Sequence, residues 1–277
     1  MILLLAGVLT LDGWLERSMR HALPPGASVT VGLPMTLVFL LLTALAFLEM
    51  ARLCAACDVL ILGQSGFLGS AILATAPFWL QSLYLSMTAM PFLLIAGFIL
   101  LAAFAEQMIR FRTQDAIRRI ACTLLTVFYL GIGGATILQL RIGYGVPMLV
   151  LFLAAVKCTD IGAYFTGSFL GRHKMIPWLS PGKSWEGLAG GAAAAILVSV
   201  ALAAAFHLPL TLWQAAVFGA IVGLAGQFGD LCESLMKRSA GIKDSGALVP
   251  GFGGVLDILD SPLLAAPVSY LVLQLLR

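Results

Sequence analysis

Eight stretches of this chain, roughly 30–48, 58–78, 89–109, 118–139, 145–169, 187–206, 211–236 and 255–276, are almost continuously apolar. Each lasts about 20 residues, the length one helix needs to span the hydrocarbon core of a bilayer. Lipid admits only segments that close their own backbone hydrogen bonds, and these runs lack the period-two alternation over about 10 residues that marks a barrel strand. Hydrophobic residues make up 61% of the 277 and charged residues 10%, more apolar surface than a soluble domain of this size can bury. The expectation is an all-α, polytopic integral membrane helical bundle with about eight to nine transmembrane helices. The first residues, "MILLLAGVLTL", read as an interfacial or partial segment; without a basic leader or small-residue cleavage site they do not read as a cleaved signal peptide.

If each run crosses once, the links 49–57, 110–117, 170–186 and 237–254 share one side of the membrane. That side holds Arg52, Arg110, Arg112, Arg172, Lys174, Lys183, Lys237, Arg238 and Lys243, with Arg118 and Arg119 at a helix mouth. The other side holds Arg17, Arg20, Arg141 and Arg277. The positive-inside rule makes the richer side cytoplasmic. A net charge of +3 is too small to argue for a nucleic-acid partner.

The five cysteines are scattered through apolar segments; Cys54 and Cys57 form a C-x-x-C with no second pair beside it, and read as small buried hydrophobes. His21, His173 and His207 are isolated in sequence, with no nucleophile–base–acid pattern around them.

Fourteen of the 29 acidic and basic residues fall between Lys157 and Asp260, and the composition shifts from nearly featureless to polar near residue 141. Lys157, Asp160 and Tyr164 are spaced i, i+3, i+7 on one helix face inside an apolar run. Ionisable groups there are costly unless partnered, so they are either functional or an ion pair tying helices together. The next link, "SPGKSWEG", puts Ser180, Lys183, Ser184 and Glu186 before a helix start, which suits an anion, although an ordinary cationic loop would look alike. Asp230, Glu233 and Lys237 repeat the i, i+3, i+7 spacing, with Ser234 beside them. Asp257 and Asp260 open the last helix after "PGFGG". Hard carboxylate oxygens suit magnesium, and magnesium flanked by Lys and Arg is the equipment of polyphosphate chemistry.

These residues resemble the motifs of the phosphatidate cytidylyltransferases, the CDP-diacylglycerol synthases. The family pattern S-x-x-K-R-x-x-x-x-K-D-x-G, then P-G-H-G-G-x-x-D-R-x-D, stands here as "SLMKRSAGIKDSG" from Ser234 and "PGFGGVLDILD" from Pro250. Gly229, Asp230 and Glu233 match G-D-x-x-E; Asp160, Ala163 and Tyr164 match D-x-x-A-Y; "SPGKSWEG" matches S-P-K-K-[ST]-x-E-G. The match spans about residues 155–262. Phe252 replaces the usual His, Ile258 the usual Arg, and Gly182 one Lys, so phosphate neutralisation is thinner than in the family pattern, while every carboxylate is kept.

The resemblance implies that CTP and phosphatidate give CDP-diacylglycerol and pyrophosphate. It implies a Mg²⁺ on Asp230 and Asp257 with Glu233 and Asp260 as further ligands, and leaves open a second metal such as K⁺. Lys237, Arg238, Lys243 and Asp244 form the implied catalytic set. Asp160, Tyr164, Ser180, Lys183, Ser184, Glu186, Ser234, Gly253 and Gly254 form the implied substrate site. Residues 1–141 would be a scaffold, dimer-forming or lipid-facing, and 142–277 the catalytic region at the cytoplasmic edge of a bacterial inner membrane. CTP, phosphatidate, membrane lipids and a second copy of the chain are the expected partners.

A CTP-dependent polyprenol or lipid kinase would need a base near an acceptor hydroxyl. A secondary transporter would place its charges near the bilayer midplane, reachable from both sides.

Overall fold

The apolar runs fold as helices. The computed structural model describes residues 2–22, 32–82, 89–243, 245–246 and 253–276. Eight α-helices follow in chain order: α1 Ile2–Ala22, α2 Leu33–Ala56, α3 Gly63–Ser82, α4 Ala89–Glu106, α5 Ala116–Leu170, α6 Trp185–Ala205, α7 Leu212–Ser239 and α8 Val255–Leu275. Among the described residues six helical segments are long and apolar enough to cross a membrane: 33–56, 90–111, 116–170, 185–205, 212–239 and 255–275. The protein is therefore an integral membrane protein. Its outward faces agree: Leu41, Leu93, Phe98 and Leu197 are exposed, whereas Thr43, Ser70, Ser199 and Ser269 are buried. The Ser70 and Ser269 hydroxyls return to their own helices, Ser70 Oγ donating to the Gly66 carbonyl at 2.8 Å and Ser269 Oγ to the Ala266 carbonyl at 2.7 Å.

Two features differ from the sequence expectation, the extent of the N-terminal helix and the link after α5. The N-terminal run, expected as an interfacial or partial segment over residues 1–11, extends into a 21-residue helix. The runs at 118–139 and 145–169 are, as expected, two helical stretches, the halves of α5 on either side of a kink at Gly145, whose φ of 85° takes it out of the helical region. Only glycine adopts that conformation cheaply, and Pro147 follows it. The link after α5 is a hairpin: β1 Lys174–Ile176 pairs antiparallel with β2 Ser180–Ser184. The expected span at 58–78 is helical as α3, but its polar residues keep it outside the six most apolar segments.

The chain divides into two compact units, Met1–Ala51 with Val59–Val146, and Arg52–Asp58 with Pro147–Arg277. In the first unit, Arg141, expected in a link, is buried within α5 and bonds to Asp12 and, at 3.0 Å, to Glu16 of α1. A buried guanidinium is tolerable only with such partners.

The second unit is built on close backbone approach. A Cβ placed on Gly191 of α6 would lie 2.7 Å from the Thr159 carbonyl oxygen of α5, and one on Gly229 of α7 would lie 2.8 Å from the Asp260 carbonyl oxygen of α8. Small residues bring helices this close where no hydrophobic force between helices exists. Gly191→Val should therefore lower stability by about 1–3 kcal/mol through overpacking. Gly182→Ala, with nothing within 4 Å of its Cβ, should not. Thermal unfolding of the two purified variants checks both.

Candidate active site

The site belongs wholly to the second unit. Asp160 lies in the C-terminal half of α5, Asp230 and Glu233 in the last third of α7, and Asp257 and Asp260 in the first turns of α8. The hairpin and the start of α6 close the remaining side. Together these elements line a cavity of about 720 Å³.

The hairpin is anchored from its base. Ser184 is the N-cap of α6, its Oγ accepting from Gly187 N at 3.1 Å. The Glu186 carboxylate accepts from the backbone N–H groups of Arg172 and His173 at 3.2 Å and meets His173 Nδ1 at 2.6 Å. Ser184 is thus a wall of the cavity as well as a cap, while Glu186 and His173 fasten the turn behind it. Such capping by Ser stabilises a helix start by about 1 kcal/mol. With its base fixed, β2 presents Ser180, Gly182 and Lys183 to the cavity.

Lysines and carboxylates interleave. Lys183 Nζ lies 2.7 Å from Asp230 Oδ2 and donates to the Gln227 carbonyl at 3.1 Å. Gln227 Nε2 donates to Asp160 Oδ1 at 2.9 Å, and Lys157 Nζ lies 3.5 Å from Asp160 Oδ2. Lys157 also donates to the Ile258 carbonyl at 3.2 Å, so the backbone at position 258 takes part where the side chain is apolar. Lys237 Nζ sits between Glu233 Oε2 at 2.6 Å and Asp257 Oδ1 at 2.8 Å.

Asp230, Glu233 and Asp260 each bring one carboxylate oxygen within 4.8 Å of the other two. Glu233 is fully buried, and its Oε1 has no hydrogen-bond partner. Three hard oxygens converging with one of them left unpaired fit a divalent cation such as magnesium. The formal charge agrees. Asp160, Asp230, Glu233, Asp257 and Asp260 are five carboxylates against the three lysines paired with them, an excess of two negative charges.

Asp257 stands apart from that trio. Its Oδ2 accepts from Gly254 N at 2.6 Å and Ser245 N at 3.3 Å, so it caps α8 while Oδ1 holds Lys237. Gly253, at φ 85°, leaves no room for a side chain, since its Cβ would meet Asp257 Oδ2 at 2.5 Å. Gly253 and Gly254 thus shape the cap of Asp257. Tyr164 and Ser180 line the cavity. Arg238 reaches back to the Ile242 carbonyl at 3.4 Å, Lys243 is exposed, and Ser234 is half-buried on α7. Asp244 and Phe252 lie outside the described residues. The cations on the cavity wall are Lys157, Lys174 and Lys183. Lys174 and Gln227 were absent from the expected set; a register that pairs Lys174 with Ser184 across the hairpin becomes visible only once the hairpin forms.

The sequence profile of the cytidylyltransferase family matches residues 26–276. A phosphatidate cytidylyltransferase of Staphylococcus saprophyticus is 34% identical over 196 residues, 70% of this chain and 71% of its own length. One from Staphylococcus epidermidis is 35% identical over 181 residues, covering 65% and 68%. One from Brucella suis is 42% identical over 147 residues, covering 52% and 54%. With a profile that runs through all of its spans from α2 to α8 and two staphylococcal relatives that match over two thirds of their length, this chain belongs to the cytidylyltransferase family.

Proposed function

We propose that this chain is a phosphatidate cytidylyltransferase, converting CTP and phosphatidate into CDP-diacylglycerol and pyrophosphate at the cytoplasmic edge of a bacterial inner membrane. The observation that carries the reading is the three-carboxylate cluster of Asp230, Glu233 and Asp260 beside a cavity whose wall holds Lys157, Lys174 and Lys183. Carboxylates that gather a cation, next to lysines that gather phosphate oxygens, suit a nucleoside triphosphate and an anionic lipid together.

Phosphatidate arrives already ionised, so its attack needs no strong base in the protein. A phosphate oxygen of the lipid forms a bond to the α-phosphorus of CTP, and the bond to the β-phosphate oxygen breaks. Pyrophosphate leaves with the electron pair. What this chain must supply is alignment and charge balance. Asp230, Glu233 and Asp260 would hold Mg²⁺, which when bound supplies Lewis-acid screening of phosphate charge. Lys183, held by Asp230 and Gln227, and Lys157, held by Asp160, already stand at fixed positions on the wall. Lys174 pairs with Ser184 across the hairpin and lines the same cavity as Gly182, which stands where the family pattern has a lysine, so it would offer the cation that Gly182 lacks.

Lys237 takes a different part from the one its motif implies. Clamped between Glu233 and Asp257 and mostly buried, it neutralises and positions the carboxylates rather than reaching for substrate. The orientation follows from the excess of cations in the links on the site's side. A potassium ion as second metal and a homodimer are carried by the family resemblance alone.

Purified protein given phosphatidate, Mg²⁺ and CTP labelled at the α-phosphorus should move the label into lipid. EDTA should stop the transfer and Mg²⁺ should restore it. Label entering lipid only from the γ-phosphorus would instead mean a kinase, and no release of pyrophosphate would point to a transporter. Asp230→Asn and Asp260→Asn should each cut turnover by about a hundredfold or more if they hold the metal.

Lys237 and Lys183 should separate in their effects. Lys237→Met leaves Glu233 and Asp257 unpaired and should lower stability by about 3–5 kcal/mol. Lys183→Met should act mainly by raising KM for CTP. Thermal unfolding beside steady-state kinetics checks this: Lys237→Met with unchanged Tm but lost turnover would make Lys237 a substrate contact instead.

A further inference from the structure

The hairpin between α5 and α6 has an outer face that the proposed chemistry does not use. Its inner face lines the cavity with Lys174, Ser180 and Lys183, whereas Pro177 and Trp178 at the turn are exposed, Trp178 at 76%. The turn between the strands is fixed. Leu179, next to Trp178, is buried, and its N–H donates to the Ile176 carbonyl at 3.2 Å. At the base, Trp185 N donates to the His173 carbonyl at 3.0 Å, which ties the first stem to the start of α6.

Two helix lengths set the level of this hairpin against the bilayer. α6 has 21 residues and rises about 31 Å, the thickness of the hydrocarbon core, so its first residue, Trp185, stands at one boundary of that core. α7 returns from the other boundary after the short link 206–211. Asp230 lies about 27 Å along α7 from Leu212, back at the level of Trp185. Lys183 of the hairpin meets Asp230 there, its Nζ 2.7 Å from Oδ2. The hairpin therefore lies along the membrane surface instead of rising from it. Lipid contact on α5 runs to the foot of the hairpin as well: Ile161, Phe165 and Phe169 follow one another on one helix face, all three are exposed, and the helix ends one residue later at Leu170.

An exposed indole held at that level fits one surrounding. Its ring is apolar and its single N–H donates one hydrogen bond, so it settles among lipid headgroups in preference to water or to the acyl chains. Arg172, exposed at the foot of the hairpin, adds a cation at the height of the lipid phosphates. We propose that the outer face of the hairpin docks on the bilayer surface, with Trp178 set among the headgroups of the leaflet that α6 enters at Trp185. The partner is the headgroup layer of the surrounding lipid, not a molecule in the cavity. Docked in this way, the hairpin keeps Lys174 and Lys183 level with the phosphates of that leaflet.

The test needs no turnover. Replacing Trp14, Trp79, Trp185 and Trp213 by Phe leaves Trp178 as the sole tryptophan of the full chain, reconstituted in phosphatidylcholine vesicles. Its emission should be blue-shifted from that of free tryptophan in water. Phosphatidylcholine brominated near the glycerol end of the acyl chain should remove most of that emission. Bromine near the methyl end should remove much less, and iodide in the water on both sides of the membrane little. Should the fourfold variant not fold, the difference in quenching between wild type and Trp178→Phe reads the same residue. Strong quenching by iodide with none by brominated lipid would put the turn in water and overturn the proposal. Strongest quenching by methyl-end bromine would sink the turn into the chains, and exclusion of all three quenchers would mean a protein partner; either result also overturns it.

Discussion

Glu233 is a carboxylate with no exposure to solvent, less than two turns before the end of a membrane-spanning helix, and Lys237 is the reason it can be there. The ammonium group one turn on meets Glu233 and Asp257 together, so one cation couples the end of α7 to the start of α8. In a medium of low dielectric constant such a contact is strong, and so is the penalty for losing half of it. Asp257 then uses its second oxygen to cap α8, which sets where Asp260 falls. Remove that clamp, and the remaining carboxylates lose both their spacing and their tolerance for one another.

The clamp can close only because the helices come near enough. Gly229 lets α7 pass beside the Asp260 and Ser261 backbone, and Gly191 does the same for α6 against α5. A membrane interior supplies little force to pull helices together, so fit and polar bonding carry the association. The unit therefore combines two kinds of contact with separate tasks. Glycine-mediated packing brings the backbones close, and the interleaved lysines and carboxylates decide which register they adopt. Gln227 belongs to both, packed on α7 yet bonded to Asp160 and Lys183.

The positions of the helices were readable because length and hydropathy dictate them in lipid: every apolar run became helical. The break at Gly145 falls where one apolar run gives way to the next, but the flanking Arg141 looked like a link residue because its partners, Asp12 and Glu16, lie more than a hundred positions away. Spacing on a single helix put Asp230, Glu233 and Lys237 on one face, and the structure keeps them there. Spacing does not say which oxygen points where. Asp257 and Asp260 share the i, i+3 relation, yet one turns to its own backbone and to Lys237 and the other to the cluster with Asp230 and Glu233. Lys174 reaches the site through a strand pairing that a three-residue strand encodes too weakly to read.

Charge balance joins these observations to the proposed chemistry. Five carboxylates against the three paired lysines and Lys174 leave a formal excess of one negative charge at a site assigned two anionic molecules. A divalent cation held where Asp230, Glu233 and Asp260 converge would reverse that sign. Lysines alone could not do the same: each of the three paired ammonium groups is committed to a carboxylate, and only Lys174 faces the cavity without a carboxylate among the ion pairs of the described residues. In the proposed chemistry, metal held there would turn a formally acidic site into a receptor for phosphate. An acceptor that is already an anion then requires no general base. His173, the histidine nearest the hairpin, is accordingly free to serve as a fastening for Glu186 and the turn.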